Sequence, residues 1–281
     1  MIVDELWQEL TRELITLVAT FRSRLDTLPV TSKPDQTLLT DADLSAQDLI
    51  IRKIRQFDGD GRIIAEEDSP IDTRQSETAN TWIVDPIDGT AQFVKPDAVE
   101  FCSVVALFRH GRPVAALIVA PELGPARTPI TICASLDEKH VTVNQHRMRA
   151  GPRNLSGYAS TTRSRNSPPS QIESRLVSRQ YKVKTRTTSQ TLDMARTAFD
   201  LSSFSPHARP FDLFHRREQK LWDGAAGLCL AVTAGLEPTD ESGKVLLPLS
   251  PHLLGSTPPI ITSSVVGQPE LLREVLGVQD D

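Results

Sequence analysis

Cysteine, aromatic residues and long apolar runs are scarce in this sequence. Three of its 281 residues are cysteines (Cys102, Cys133, Cys229), and no pair has the Cys-x-x-Cys spacing of zinc or redox sites. An odd number of cysteines in apolar surroundings predicts reduced core residues and excludes a disulfide framework. The longest apolar run, Val114 to Ala120, is far shorter than the roughly 20 residues that span a bilayer.

The N-terminus lacks the features of a secretory signal. Asp4 and Glu5 stand where a signal peptide carries Lys or Arg. Together with the reduced cysteines and the short apolar runs, this predicts a cytoplasmic protein that does not enter a membrane.

Several common catalytic signatures are also missing. The six histidines form no HxH or HExxH pattern, which argues against a histidine-bound zinc ion. There is no GxSxG elbow and no Walker loop, so a serine hydrolase of the elbow type and a P-loop enzyme are excluded. The net charge of −5 argues against nucleic acid as a general partner.

Positive charge is concentrated in residues 147–186. This segment has ten Lys and Arg residues and a single acidic residue, Glu173. Such a run either attracts an anionic ligand or forms a solvated face, and the sequence leaves both readings open.

Apolar periodicity places the main elements. Steps of three and four predict an amphipathic helix from Leu6 to Leu25. Thr40 or Asp41 is predicted to cap a second helix, with Asp43 in its first turn and an inward face of Leu44, Ile50, Ile51, Ile54 and Phe57. Strands are predicted at residues 62–65, 82–84, 101–108 and 114–120. From about residue 151 short strands and helices alternate, with a strand at 181–187 and helices at 191–199 and 223–234. The length allows two subdomains or one large α/β unit.

The stretch WIVDPIDGT, residues 82–90, places two carboxylates directly after a predicted buried strand. If Asp85 and Asp88 converge with Glu66 and Asp223, their mutual repulsion requires a cation. Oxygen ligands without nearby His or Cys favour Mg²⁺ or Mn²⁺ over zinc. The alternative is that Asp-Pro and Asp-Gly form an ordinary turn and nothing else.

Gly89 and Thr90 follow the carboxylates at a predicted helix N-terminus. Free backbone N–H groups and the positive end of the helix dipole hold phosphate at such a position. A cation beside amides that bind anions indicates phosphoryl chemistry.

WIVDPIDGT resembles the signature of the inositol monophosphatase family. This family belongs to the magnesium-dependent, lithium-sensitive phosphatases, which include bisphosphate nucleotidases and fructose bisphosphatases. Three further stretches match in the same order: Thr40 to Asp43, Glu66-Glu67, and Trp222 to Gly227. With Lys33 and Gly243 counted, the resemblance covers residues 33 to 243, and ordered motifs are more specific than any one of them.

The resemblance implies a fold and a chemistry. The fold would be a layered α-β-α-β-α sandwich of the α/β class, with an α+β half at residues 1–150 and an α/β half at 151–281, assembled as a homodimer. The site would take two or three Mg²⁺ ions and hydrolyse a small-molecule phosphate ester.

The family's metal ligands map onto this sequence residue by residue. Glu66, Asp85 and the backbone carbonyl of Ile87 would bind one Mg²⁺, and Asp85, Asp88 and Asp223 a second. Two metal ions about 4 Å apart stabilise both the attacking and the leaving oxygens.

The catalytic and phosphate-binding positions carry over in the same way. Gly89 and Thr90 would hold phosphate oxygens. The Thr90 hydroxyl, bonded to Asp43 and with Glu67 nearby, would activate the attacking water.

The sequence departs from the family pattern at positions that concern the substrate. Ala65, Gln92 and Leu236 replace residues that are usually glycine, asparagine and glycine. Arg216 stands where inositol-specific members tend to have an acidic residue, and a guanidinium offers only donors. With Lys220, it favours a nucleotide phosphate, either AMP-like or a 3′,5′-bisphosphate. The alternatives are an inositol or polyol phosphate, with Arg216 an exposed charge beside a helix, and a non-catalytic family member that acts as a binding protein.

Overall fold

The computed structural model describes residues 3–34, 37–67, 80–151, 153–163 and 167–277. Its helices are α1 (Asp4–Arg22), α2 (Asp41–Phe57), α3 (Thr90–Phe93), α4 (Gln171–Ser178), α5 (Gln190–Ala198), α6 (Leu221–Thr233), α7 (Pro251–Gly255) and α8 (Pro269–Leu276). Its strands are β1 (Val30–Ser32), β2 (Leu38–Thr40), β3 (Arg62–Ala65), β4 (Asn80–Asp88), β5 (Cys102–Arg109), β6 (Arg112–Ala120), β7 (Ile130–Ser135), β8 (His140–Val143), β9 (His146–Arg147), β10 (Tyr158–Thr162), β11 (Lys182–Lys184), β12 (Leu213–Lys220) and β13 (Ile260–Gly267). Within these ranges, no helix combines the length and the apolarity needed to cross a membrane.

The first half of the chain forms a seven-stranded sheet in the order β3-β4-β5-β6-β7-β8-β9. β3 and β4 are parallel, and the remaining neighbours are antiparallel. On β5 the side chains alternate between two cores, with Val104 and Ala106 in one and Val105 and Leu107 in the other. Because both faces of the sheet are apolar, both must be covered by other elements.

Helices cover the two faces of this sheet. α1 and α2 lie on one face, where the Trp7 ring meets the Trp82 ring edge-on with centroids 6.0 Å apart. α5 and α6 lie on the opposite face and pack small residues such as Ala195, Ala225 and Ala226 into the core. Small side chains let the backbone approach the sheet closely.

A second sheet of four strands completes the fold. Its order is β11-β10-β12-β13, with β13 antiparallel to β12 and the other pairs parallel. One face packs against α5 and α6, and the other is covered by α4 and α8. The layers therefore run α-β-α-β-α, which confirms the expected layered α/β fold. The division into halves at residue 150 stays a prediction.

The structure corrects several predicted details. Leu44 and Phe57 on α2 are 44% and 41% exposed, whereas Ile50 and Ile54 are buried. Leu44 lies six residues before Ile50, which places it about 240° around the helix and off the buried stripe. The strand predicted at 82–84 continues through both aspartates to Asp88, and the strand predicted at 181–187 spans only Lys182–Lys184.

Arg22 ties the end of α1 to the segment that follows α3. Its guanidinium is 6% exposed and forms an ion pair with Glu122 at 2.9 Å. It also stacks on the rings of Phe93 and Phe101. It donates hydrogen bonds to four backbone carbonyl oxygens, those of Phe93, Lys95, Pro96 and Ala98. One buried side chain thus fixes the path of the chain between α3 and β5.

Replacing Arg22 with Ala is expected to lower the free energy of unfolding by about 2–4 kcal/mol, because four carbonyl groups and the half-buried Glu122 carboxylate each lose one donor. Arg127 remains as a second donor to Glu122, Pro96 and Ala98. Urea denaturation measures the change. Arg24→Ala is the matched control, since Arg24 is exposed and its change should stay within about 0.5 kcal/mol. Equal losses in the two variants would contradict this role of Arg22.

Candidate active site

An irregularity in β4 turns Asp85 and Asp88 to the same face of the sheet. Residues three apart on a regular strand point to opposite faces. Here Asp85 pairs with Val104 and Asp88 with Cys102, so β4 carries one more residue than β5 across this stretch. This bulge restores the same orientation for both carboxylates, toward the face covered by α5 and α6. Spacing alone did not predict this.

The turn after β4 requires a glycine. Gly89 has φ of 95°, a left-handed conformation that side chains disfavour. A Cβ atom there would come within 3.0 Å of the Glu100 carbonyl oxygen and 3.2 Å of the Thr188 carbonyl oxygen. Gly89 thus lets the chain turn in a narrow space and begin α3 at Thr90.

Three carboxylates converge at the interface between the large sheet and α6. One oxygen from each of Asp85, Asp88 and Asp223 lies within 4.8 Å of the others. Burial raises the pKa of Asp85 well above its usual value, and the charges of Glu66, Asp88 and Asp223 raise it further. The pKa of Asp223 is raised by the same causes, with burial the largest.

Asp88 and Asp223 are compensated by hydrogen bonds from α5. Asp88 accepts hydrogen bonds from the Ser189 hydroxyl at 2.7 Å and from the backbone N–H of Thr191 at 2.7 Å. Burial nevertheless raises the pKa of Asp88 to about 6. Asp223 accepts a hydrogen bond from Gln190 Nε2 at 2.5 Å. These contacts place the N-terminus of α5 against the two carboxylates.

Asp85 has no such compensation. Both of its carboxylate oxygens are buried, and neither has a hydrogen-bond partner among the described residues. A buried carboxylate without a donor, beside two more, is costly unless a cation lies between them. All the atoms that could bind a metal ion in this cluster are oxygens, so these residues fit Mg²⁺ or Mn²⁺.

Glu66 and Glu67 lie beside this cluster and share a lysine. Lys33 Nζ is 3.1 Å from Glu66 Oε1 and 2.7 Å from Glu67 Oε1. Burial raises the pKa of Glu67 to about 7, although Lys33 opposes the shift. The Gln47 amide bonds to both the backbone N–H and the carbonyl oxygen of Glu67, so α2 sets the position of this turn. Sequence reasoning assigned Lys33 no role, and its two ion pairs were not predicted.

Thr90 and Asp43 are joined as the resemblance implied. Thr90 Oγ1 lies 3.0 Å from Asp43 Oδ1 and 3.1 Å from the Ile87 carbonyl oxygen. The other oxygen of Asp43 accepts hydrogen bonds from the backbone N–H and the hydroxyl of Thr40, which caps α2. The carboxylate is therefore fixed in orientation before it contacts Thr90. Its pKa is raised by burial, against these hydrogen bonds.

Arg216 and Lys220 lie on β12, which leads into α6. Arg216 is half-buried in a strand, so it is not the exposed charge beside a helix that the alternative interpretation required. Its neighbour Arg217 is exposed and paired with Glu241. Lys220 Nζ lies over the Trp222 ring, 5.7 Å from the centroid.

Sequence reasoning missed Ser189, Gln190 and Thr191, which hold Asp88 and Asp223. The only local signal is that a serine precedes a helical pattern, where its side chain can cap the helix. Nothing in that signal shows which distant carboxylates the helix N-terminus meets. The contact depends on the packing of the two halves.

Comparisons with known proteins show the family and the fold of the chain. A model of the inositol monophosphatase family matches residues 4–276. The 3′(2′),5′-bisphosphate nucleotidase CysQ of Escherichia coli K12 is 35% identical over 94 residues, which are 34% of this chain and 38% of that protein. The Nus factor SuhB of Pasteurella multocida is 28% identical over 256 residues, 89% of each chain. The structure of Staphylococcal inositol monophosphatase-1 superimposes with a TM-score of 0.75 and 19% identity, covering 98% of this chain and 92% of that one.

Mg²⁺ at 100 times its dissociation constant is expected to raise the melting temperature by about 5–8 °C, because it binds only the folded state. In Asp85→Asn this increase should disappear, and the metal-free variant should melt above the wild type because one buried repulsive charge is gone. Differential scanning calorimetry measures both values.

Asp137→Asn is the matched control, because Asp137 is exposed in the turn between β7 and β8 and should leave the increase unchanged. If Asp85→Asn retained the full increase, Asp85 would not be a metal ligand.

Proposed function

Because the chain belongs to the inositol monophosphatase family, we propose that it is a Mg²⁺-dependent phosphatase that hydrolyses a small-molecule phosphate monoester with water as the nucleophile. The observation that carries the proposal is the cluster of Asp85, Asp88 and Asp223 beside the Thr90–Asp43 hydrogen bond. The cluster attracts a cation, and the hydrogen-bonded pair of Thr90 and Asp43 can orient a nucleophile. The CysQ alignment covers little more than a third of that relative, so its activity supports this proposal only in part.

The proposed metal ligands are Glu66, Asp85, Asp88, Asp223 and the carbonyl of Ile87. When bound, Mg²⁺ supplies positive charge that neutralises phosphate oxygens and makes water more acidic. Asp85 is buried between the other carboxylates, which supports its role as the shared ligand of two ions. The resemblance implies two or three ions, and Lys33 Nζ lies 3.1 Å from Glu66, a ligand proposed for the first of them.

Thr90 is proposed to orient the attacking water. Its hydroxyl points its hydrogen toward Asp43 Oδ1, a charged and therefore strong acceptor. The lone pairs of Oγ1 are then available to accept a hydrogen bond from water. Burial raises the pKa of Glu67 to about 7, and the nearby charge of Asp43 adds to the shift. Glu67 can therefore take up a proton near neutral pH. Gly89 and the first turn of α3 are proposed to hold the phosphate oxygens.

A nucleotide phosphate is the proposed substrate class. The half-buried Arg216 beside the site favours a substrate with an additional acceptor, and CysQ is named a bisphosphate nucleotidase. An inositol or polyol phosphate is the second candidate, favoured by the structural likeness to inositol monophosphatase-1. A non-catalytic binding role has one point in its favour, the match to a Nus factor over 89% of the chain. The retained carboxylate cluster argues against it.

The remaining expectations belong to the same proposal. A homodimer and a cytoplasmic location are supported by the family resemblance and by the reduced cysteines. The proposed partner is a small-molecule phosphate ester. The net charge of −5 gives no support to nucleic acid binding.

Release of inorganic phosphate tests the function. Purified protein with Mg²⁺ is expected to hydrolyse at least one of inositol 1-phosphate, adenosine 3′,5′-bisphosphate, 5′-AMP, fructose 1,6-bisphosphate and histidinol phosphate, and lithium should inhibit it. Asp85→Asn should lower kcat/KM by at least about 10³-fold without unfolding, because no hydrogen bond to this carboxylate is lost. Folded, Mg²⁺-loaded protein that hydrolyses none of these esters would favour the binding role.

Thr90→Val is expected to lower kcat by about 10²- to 10⁴-fold, because the hydroxyl that orients the nucleophile is lost. Thr90→Ser keeps the hydroxyl and should stay within about tenfold of the wild type. Steady-state kinetics give kcat, and the increase in melting temperature with Mg²⁺ shows whether metal binding is intact. A valine variant with the wild-type kcat and an intact Mg²⁺ response would remove Thr90 from the mechanism.

A further inference from the structure

Arg216 is a half-buried guanidinium without an anionic partner. Its Nε is buried and has no hydrogen-bond acceptor in the described part of the chain. Within that part, its one hydrogen bond runs from Nη1 to Thr187 Oγ1 at 3.4 Å, which is long, and it forms no ion pair. Three other guanidinium groups nearby are each neutralised by a glutamate: Arg163 by Glu173, Arg196 by Glu100, and Arg217 by Glu241. Arg216 is therefore left with donors to offer.

A second unused donor lies directly beside it. Thr162 on β10 pairs in register with Arg216 on β12, and opposite residues on neighbouring strands are about 5 Å apart. The Thr162 hydroxyl is buried and has no partner among the residues that the structure describes. Both residues border a cavity of about 410 Å³ at the carboxyl end of β10, and Arg217 borders the same cavity. Ligands commonly bind at this end of parallel strands.

Both side chains lie on the face of the small sheet that is turned toward the carboxylate cluster. Ser160, two residues before Thr162, points the same way and donates to Asp193 on α5 at 2.7 Å. Phe214, two residues before Arg216, packs into the core with α6. The charges of Arg216 and Asp223 influence each other, as their pKa shifts show. Arg217, one residue on, points to the opposite face.

We propose that Thr162 and Arg216 form a second oxyanion subsite, which binds a second phosphate on the substrate whose ester phosphate is hydrolysed at the carboxylate cluster. This inference rests on the proposed phosphatase function and names its substrate class as a bisphosphate. A guanidinium without an anionic acceptor and a hydroxyl without a partner are suited to a phosphate, which accepts several charge-assisted hydrogen bonds at once.

Neighbouring charges do not replace such a ligand. Glu218 is exposed, so solvent and salt screen its attraction for Arg216. Asp223 is already bonded to Gln190 and is a proposed metal ligand. A neutral hydroxyl could accept from Thr162 but would leave the charge of Arg216 uncompensated.

Two matched substrate pairs test the inference: adenosine 3′,5′-bisphosphate with adenosine 3′-monophosphate, and inositol 1,4-bisphosphate with inositol 1-phosphate. In at least one pair, kcat/KM of the wild type is expected to be about 10- to 100-fold higher for the bisphosphate. Arg216→Gln should remove most of this ratio, and Thr162→Val should lower it about 3- to 10-fold. Arg179→Gln is the control and should keep the wild-type ratio, because Arg179 is exposed, is paired with Glu274 and does not border the cavity.

The outcomes separate this inference from the function on which it rests. A wild type that hydrolyses monophosphates and bisphosphates equally well, or a ratio unchanged by Arg216→Gln, would overturn the subsite but leave the phosphatase in place. A wild type that hydrolyses none of the four esters would overturn both. If Arg216→Gln does not fold, the ratio measured with Arg216→Lys and Thr162→Val tests the subsite instead. Lysine keeps the charge but loses the planar fork, so an intermediate ratio supports the subsite and a wild-type ratio in both variants overturns it.

Discussion

The repulsion among three carboxylates, two of them buried and one half-buried, is the constraint on which the site depends. Asp85, Asp88 and Asp223 hold oxygens within 4.8 Å of one another, and burial raises the pKa of each. The fold compensates two of them, since α5 supplies donors to Asp88 and Asp223. It leaves Asp85 with two buried oxygens and no donor from the described residues. The structure therefore stabilises the cluster only in part, and a divalent cation bound between the carboxylates would supply the rest.

This constraint explains why the site needs both halves of the chain. The large sheet supplies Asp85 and Asp88, whereas α6 supplies Asp223 and α5 the compensating donors. The outer helices support the adjoining turn, because the cap of α2 fixes Asp43 against Thr90 and Arg22 of α1 holds the chain after α3. Each helical layer thus positions a different part of the site, and the small sheet adds Arg216 from the remaining side.

Periodicity predicted most helices and strands, and the ordered motifs carried the resemblance that implied the layered fold and the proposed site residues. The alternating residues of β5 and the cap that orients Asp43 are encoded within a few positions. The bulge that turns Asp85 and Asp88 to one face could not be predicted, because it is defined by pairing with β5. The donors at the start of α5 and the burial of Arg216 depend on packing between distant segments, which a local pattern does not contain. Leu44 was placed wrongly because an apolar residue on a helix is not always on its buried stripe.

The most direct test of the account is the location of Mn²⁺ in crystals of the protein grown with that ion. Anomalous scattering identifies the ion without reference to activity. The account predicts a strong peak in contact with carboxylate oxygens of Asp85, Asp88 and Asp223, at ligand distances near 2.2 Å. Full-occupancy Mn²⁺ bound elsewhere, with these three carboxylates in contact with no ion, would contradict it.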